Sequence, residues 1–310
     1  MESWRQSRLV FFLVGLPPTF WLFLFFLAPL YFIFSFSFGE KVGIVGIDPF
    51  TTIDSYERIF ECVAPAGATE CSQVYLTIFW KSVWEAGLTT LICLLVGFPI
   101  AFMICFASKK WKPWLLLLIV LPFWTNLLIR TYALIVMLRT NGYINRGLEG
   151  VWDGINWVIG GALGDFTPLE MMNTDFAVVF GMVYVFLPFT VLPLYAALER
   201  LDHSFIEASL DLGAGQLRTF KNVVVPLAAP GIASAVVITF IPALGTFLQP
   251  DLLGGPDSSL IANVIERQFR SANDWPFGSA LSFMLLYITF FAIAAQSLMG
   301  RRKRGAGAGK

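Results

Sequence analysis

Few side chains in this chain could do chemistry, and their spacing excludes most catalytic schemes. There is one histidine, His203, and there are four cysteines, at positions 62, 71, 93 and 105. A lone imidazole and scattered thiols cannot build a His-rich metal centre or a disulfide scaffold. No catalytic residue and no metal site is therefore expected. The phosphate-cradling pattern G-x-x-x-x-G-K-[ST] is absent, and the one Gly-Lys pair is Gly309-Lys310. The chain itself is expected to bind no nucleotide and no other cofactor.

The remaining chemistry suits recognition of a solute. Glu85, Asp251 and Glu266 could receive a cation, Trp124 and Phe247 could offer aromatic faces to it, and Asn126 and Gln249 add polar groups. Each also has an ordinary reading. Glu85 suits the headgroup level of a bilayer, Asp251 suits a turn, and the aromatics suit packing or an interfacial belt. Arg130 stands apart. It falls within an apolar run, about 12 Å from its end at 1.5 Å per residue. A guanidinium there needs a partner, and a solute with an acidic group would supply one.

The elements that position these residues are apolar segments. Of 310 residues, 57% are hydrophobic and only 14% charged, against roughly 25% charged in a soluble domain. Mean hydropathy is +0.72. Apolar runs of about 20 residues recur, long enough to cross a bilayer as helices. In lipid each must satisfy its own backbone groups, so helices rather than strands are expected. Six spans are expected, at about 11–36, 83–106, 114–138, 176–198, 228–248 and 277–299. The run from Phe11 to Phe38 is too long for a signal peptide and lacks a small-residue cleavage site. The formal net charge is zero, which offers nothing to nucleic acid.

Charge placement sets the orientation. The N-terminal tail, the turn with Lys109, Lys110 and Lys112, the loop from Glu199 to Pro226 and the tail from Arg301 form one set. They hold 13 of the 21 Lys and Arg but 5 of the 21 Asp and Glu. Basic loops stay in the cytoplasm, so both termini are expected there. The expected organisation is a cytoplasmic tail over 1–10, a membrane domain over 11–299 with a cytoplasmic loop at about 199–226, and a basic tail over 300–310. The opposite face carries an excess of eight acidic charges. That excess would attract cations, although the orientation rule alone also depletes this face of Lys and Arg. Long outer loops are expected at about 39–82, 139–175 and 249–276, suited to docking an external partner. Cys62 and Cys71 share the first. A local disulfide and two unpaired thiols both remain open. Prolines within the spans, among them Pro99, Pro122, Pro188 and Pro242, are tolerated where neighbours satisfy the freed carbonyls. They are ordinary kinks or mark a gated path.

The loop at 199–226 has a definite pattern. It reads Glu207-Ala208-Ser209-Leu210-Asp211-Leu212-Gly213, then nine residues, then Val223-Val224-Val225-Pro226. Ser204 and Glu207 have capping-box spacing, and Gly213 suits a helix stop. A second short helix is expected over about 216–222, with the next span starting after Pro226.

This stretch resembles the EAA signature of ABC-importer permeases, E-A-A-x-x-x-G-x9-I-x-L-P. Glu207, Ala208, Gly213 and Pro226 match. Ser209, Val223 and Val225 depart from it conservatively. The run from Pro122 to Tyr132 resembles spermidine/putrescine-type permeases, as do Phe240 to Gly245, Pro250 to Gly255 and Asp274 to Gly278. The resemblance covers nearly the whole chain and is to the first permease of such a pair. It implies an all-α integral membrane protein with the six-helix type I importer permease fold (MetI-like). It also implies an inner-membrane location and no enzymatic activity in this subunit. The implied coupling residues are Glu207, Ala208, Ser209, Asp211, Gly213, Val223 and Pro226. The implied partners are a second permease forming a heterodimer, an ATPase dimer that binds ATP and magnesium, and a periplasmic binding protein. The implied activity is alternating access for polyamines. An opine or amino-acid-like solute is the alternative that Arg130 favours. An ion-coupled transporter would need carboxylates at mid-membrane, which the span centres lack.

Overall fold

A computed structural model describes residues 8–42, 46–61, 73–159, 164–202 and 204–307. Cys62, Cys71 and His203 lie outside them. The chain divides into two compact units, Met1–Leu76 with Val264–Ala292, and Thr77–Asn263 with Ile293–Lys310.

In the first unit, α1 (Arg8–Leu22) and α2 (Ala28–Ser37) are joined by a π turn at Phe23–Leu27. Together they give an apolar span over Phe12–Ser37. A short antiparallel hairpin pairs β1 (Glu40–Val42) with β2 (Gly46–Asp48). Next comes α3 (Asp54–Phe60), whose Tyr56 hydroxyl donates to Ser37 Oγ at 3.0 Å. Arg58 bonds Asp274 at 2.9 Å and stacks over the Phe277 ring at 4.2 Å. One guanidinium thereby ties α3 to the start of the last helix.

The second unit is a helical bundle. Helix α4 (Val74–Phe106) has 33 residues, about 50 Å at 1.5 Å per residue, which exceeds the hydrocarbon thickness. It starts nine residues before the expected Val83. Lys81, read from sequence as loop, lies within this helix and pairs with Asp175 at 2.8 Å.

The third span, expected to be continuous with a kink at Pro122, is instead broken. Helix α5 (Lys112–Val120) runs into a 3-10 turn at Leu121–Trp124, and α6 (Leu127–Leu138) restarts after Asn126. The stretches Lys112–Trp124 and Leu127–Val158 meet at 95°. Pro122 lies in the 3-10 turn, Thr125 is extended, and Thr125 Oγ1 bonds the Pro122 carbonyl at 2.7 Å. Asn126 Oδ1 then accepts the Leu128 N–H at 2.8 Å and caps the new helix. Much of the expected loop at 139–175 is also helical, as α7 (Tyr143–Val158). Its apolar residues follow helical spacing among polar ones, a pattern that suits an interfacial helix.

Helix α8 (Asp175–Leu198) is mostly apolar after Asp175 in its first turn. The chain continues through α9 (Ser204–Asp211), α10 (Gln216–Thr219), a π turn at Phe220–Val224 and α11 (Val225–Leu227). It then bends by 66° into α12 (Ala229–Leu244). The fifth span therefore starts at Ala229, one residue from the expected 228, with Pro230 in its first turn. Gly245 ends it before the expected Leu248. The core of this unit joins Ala101 and Ile104 of α4 to Val191 and Leu194 of α8, with Val224 and Ala235. Thr190 and Thr239 hydroxyls bond at 2.7 Å between α8 and α12. Such pairs hold helices together where lipid supplies no hydrophobic drive.

Helices α13 (Leu248–Leu253), α14 (Ile261–Arg270) and α15 (Trp275–Gly307) complete the chain. Among the described residues, three helices alone are long and apolar enough to cross a membrane, and five spans result if each bent pair counts once. The expected sixth span coincides with Trp275–Phe291 of α15, a 17-residue apolar stretch shorter than those.

Candidate functional site

Two places in the second unit bring functional groups together. The first is a cavity of about 730 Å³ between α4 and α8. Thr77, Lys81, Glu85, Leu88 and Ile92 fall three or four residues apart along α4, so helical spacing puts them on one face. On α8, Asp175, Val179 and Val183 repeat every four residues, with Phe176 and Phe180 one position on from the first two. Trp80 and Trp84 complete the lining.

Lys81 anchors the charges. Its Nζ donates to Asp175 Oδ1 at 2.8 Å and to the Asp257 carbonyl at 2.7 Å. Ser258 Oγ donates to the same Asp175 oxygen at 2.6 Å. Asp175 occupies the first turn of α8, where the helix dipole favours a negative charge. Glu85 is only 3% exposed. Its Oε1 stands 3.7 Å from Lys81 Nζ, and neither of its carboxylate oxygens has a hydrogen-bond partner.

The second place is the loop carrying the Glu207 to Pro226 pattern. Helix α9 begins at Ser204, and the expected capping box does not form there. Asp202 Oδ1 accepts the Ser204 N–H at 3.0 Å and the Asp202 carbonyl accepts the Phe205 N–H at 3.2 Å. An aspartate ahead of the helix does this well because its short carboxylate also meets the positive helix end. Helix α9 ends in a two-bond motif: the Ala214 N–H bonds the Ser209 carbonyl at 3.1 Å and the Gly213 N–H bonds the Leu210 carbonyl at 2.9 Å. Gly213 sits at φ +81°, a left-handed conformation that glycine adopts without penalty. Ser209 Oγ bonds Thr219 Oγ1 at 2.9 Å and locks α9 to α10. Glu207, Ala208, Asp211 and Pro226 are exposed, while Val223 is half-buried. Leu212 and Leu217, at 88% and 83%, are among the most exposed large apolar side chains. The base of the loop is sunk: Phe220 packs edge-on against Phe98 and Phe102 of α4, with ring centroids 5.4 and 5.8 Å apart.

Lys112 Nζ bonds both oxygens of Glu199, at 2.9 and 2.8 Å, and ties α5 to the end of α8 beside this loop. The hydrogen bond from Lys112 holds the Glu199 carboxyl below its ordinary value. A depressed carboxyl stabilises the fold above the usual carboxylate range and loses that contribution as pH falls through it. Glu199→Gln is accordingly expected to lower the melting temperature slightly at pH 7 and to converge on wild type once the pH falls below the lowered Glu199 value. Equal offsets at both pH values in a thermal melt would refute this.

The other sequence-derived candidates are dispersed. Trp124 is 77% exposed at the end of the 3-10 turn. Asn126 is the α6 cap. Asn126→Ala is expected to cost about 1 kcal/mol of stability, read as a lower melting temperature with substrate affinity unchanged. A changed affinity at unchanged melting temperature would make it a pathway residue instead. Phe247 is exposed, and its carbonyl accepts from Asn263 Nδ2 at 2.8 Å. Gln249 is buried and its Oε1 accepts from Thr246 Oγ1. Asp251 is exposed in the first turn of α13. Glu266 belongs to the first unit, where it pairs with Arg270 at 3.1 Å. Of these candidates the cavity lining includes Glu85 alone. Lys81 and Asp175 were not among them. The four-residue spacing of Lys81 and Glu85 was a usable signal only if the helix reached back past Val83.

Comparison with known proteins adds three findings. The family of binding-protein-dependent transport system inner membrane components matches residues 5–305. The spermidine/putrescine transport system permease protein PotB of Haemophilus influenzae is 37% identical over 286 residues, covering 91% of this chain and 92% of that protein. PotB of Escherichia coli is 38% identical over 268 residues, covering 86% and 90%. The fold is similar to a crystal structure of a bacterial ABC transporter that imports the acidic polysaccharide alginate. The TM-score is 0.73 at 17% identity, over 97% of this chain and 98% of that one.

Proposed function

The chain belongs to the family of binding-protein-dependent transport system inner membrane components, and on that premise we propose that it forms half of a path carrying polyamines. It is a multi-pass inner-membrane transport subunit and not an enzyme. The observation that carries the polyamine reading is the identity of 37 and 38% to two named spermidine/putrescine permeases over about nine-tenths of the chain. Both termini and the Glu207 to Pro226 loop lie on the cytoplasmic side in this reading, as the placement of Lys and Arg requires.

The partners are a second permease, an ATPase dimer and a periplasmic binding protein. ATP and magnesium belong to the ATPase. The loop docks on it. Exposed Phe205, Leu210, Leu212 and Leu217 offer apolar contacts, and Glu207 and Asp211 offer charges. A push on α9 passes through the Ser209–Thr219 bond to Phe220 and so to α4. The spans then alternate between inward and outward access, and the binding protein delivers its ligand to the outward state.

The test is ATP hydrolysis by the reconstituted complex with binding protein, either empty or loaded with spermidine or putrescine. Stimulation by the loaded protein is expected. Stimulation only by another loaded ligand would replace the substrate, and failure to associate with any ATPase would overturn the reading.

Arg130 favours a second substrate. It is 8% exposed, its Nε and Nη1 have no hydrogen-bond partner, and it stacks on Phe123 at 5.0 Å. A solute carrying a carboxylate beside its amine, such as an opine, would satisfy it.

A further inference from the structure

We propose that the Glu85 carboxylate receives one alkylammonium group, and that Lys81, drawn aside by Asp175, sets how tightly it is held. The proposal deepens the polyamine reading and rests on it only for the physiological amine.

The argument starts from an unmatched count of donors and charges. Lys81 commits Nζ hydrogens to Asp175 and to the Asp257 carbonyl, at 2.8 and 2.7 Å. Glu85, at 3.7 Å, is an ion-pair neighbour but lies beyond hydrogen-bond reach. Two carboxylates therefore face one ammonium, and the uncompensated carboxylate is the buried one. A buried polar group without a partner is costly. Glu85 has two such oxygens, and it lines a cavity large enough for a small solute.

The missing partner must be a donor and a cation. The lining also identifies its other end. Trp80, Trp84, Phe176 and Phe180 suit an ammonium head by cation–π contact and its methylene chain by apolar contact. Ser258 and Asp257 hold Lys81 and Asp175 in place, so the space beside Glu85 is kept open before the amine arrives.

Lys81 then acts as a specificity-determining residue. Its charge beside Glu85 repels an incoming cation and keeps binding weak. A transport site needs that, since its ligand must leave again. Removing the charge should tighten binding. Removing Asp175 should free Lys81 to fold onto Glu85 and close the site. A merely structural cluster would not respond to these two changes in opposite directions.

The experiment labels carboxyl groups of the assembled transporter in nanodiscs with a hydrophobic carbodiimide and reads the Glu85 peptide by mass spectrometry. The probes are N,N-dimethylbutylammonium and N,N,N′,N′-tetramethylputrescine, tertiary amines that keep an N–H donor but form no amide with the activated carboxyl, with n-butanol as the neutral control. Discs contain phosphatidylcholine alone or with phosphatidylethanolamine. Both amines are expected to protect Glu85 and butanol is not. Lys81→Met should give protection at about tenfold lower amine concentration, and Asp175→Asn should raise the concentration needed. Protection in phosphatidylethanolamine discs without added amine, with no lipid amide adduct on the Glu85 peptide, would make the occupant a lipid headgroup of the same chemistry. Equal labelling with amine and butanol in every disc would overturn the proposal, and an unchanged Lys81→Met would overturn the role of Lys81. Because this readout needs no transport, a complex that carries no polyamine would fail the reading in the preceding subsection without altering this result.

Discussion

Gly213→Pro is expected to abolish the stimulation of ATP hydrolysis by loaded binding protein while the subunits remain assembled. Proline is held near φ −65° and has no N–H, whereas residue 213 sits at φ +81° and donates to the Leu210 carbonyl at 2.9 Å. The substitution removes both the conformation and one of the two bonds that end α9. The chain can then no longer turn back to set Ser209 against Thr219. A proline in an incompatible position costs about 3 kcal/mol or more, all of it placed on a surface loop far smaller than the bundle. Gly213→Ala keeps the N–H and meets only the left-handed penalty, about 1–2 kcal/mol. The series wild type, alanine, proline should therefore show graded loss of stimulation with basal hydrolysis retained. Full stimulation in the proline variant would show that the loop does not couple the two subunits.

The second large effect concerns the crossing of α8 and α12. A Cβ placed on Gly231 would stand 2.2 Å from Ala197 Cβ and 3.3 Å from the Pro193 carbonyl oxygen. No rotamer relieves this, because a methyl group meets a methyl group and a backbone. Gly231→Ala must push the helices apart, and overpacking of this kind costs about 1–3 kcal/mol. The Thr190–Thr239 bond, on the same pair of helices, would stretch with them. We expect a melting temperature of the solubilised complex lower by several degrees. Ala197→Gly should restore most of it in the double variant, since the two sites share one contact. If Ala197→Gly adds its own loss instead, close approach is not what Gly231 provides.

Gly213 and Gly231 also mark the boundary between what sequence reveals and what it conceals. Gly213 was legible, because a helix stop is a local event and its residues lie within one turn of chain. Gly231 was not, because the residue that excludes its side chain lies 34 positions earlier. The broken span at Pro122 was half-legible. Proline signalled a kink, but the extended Thr125 and the Asn126 cap turned a kink into a break. Asn126 and Gln249, read as groups for a solute, form hydrogen bonds that hold backbone and turns. Sequence gives their chemistry but not their partners. Ser204 had capping-box spacing, yet Asp202 took the role because the chain entered the helix one step earlier than the pattern implied.

Sequence by itself determined the membrane location, the helical class, the family and the position of the loop around Gly213. Location and helical class rest on composition, the loop on short spacing and the family on a resemblance of motifs along the chain, and none of these depends on how distant segments meet. Tertiary structure alone decided the cluster of Lys81, Glu85 and Asp175. Lys81 and Asp175 lie 94 positions apart, and the apolar run that marked the second span began only after Lys81. Burial of an ion depends on what stands opposite it, and that is a property of packing rather than of the local chain.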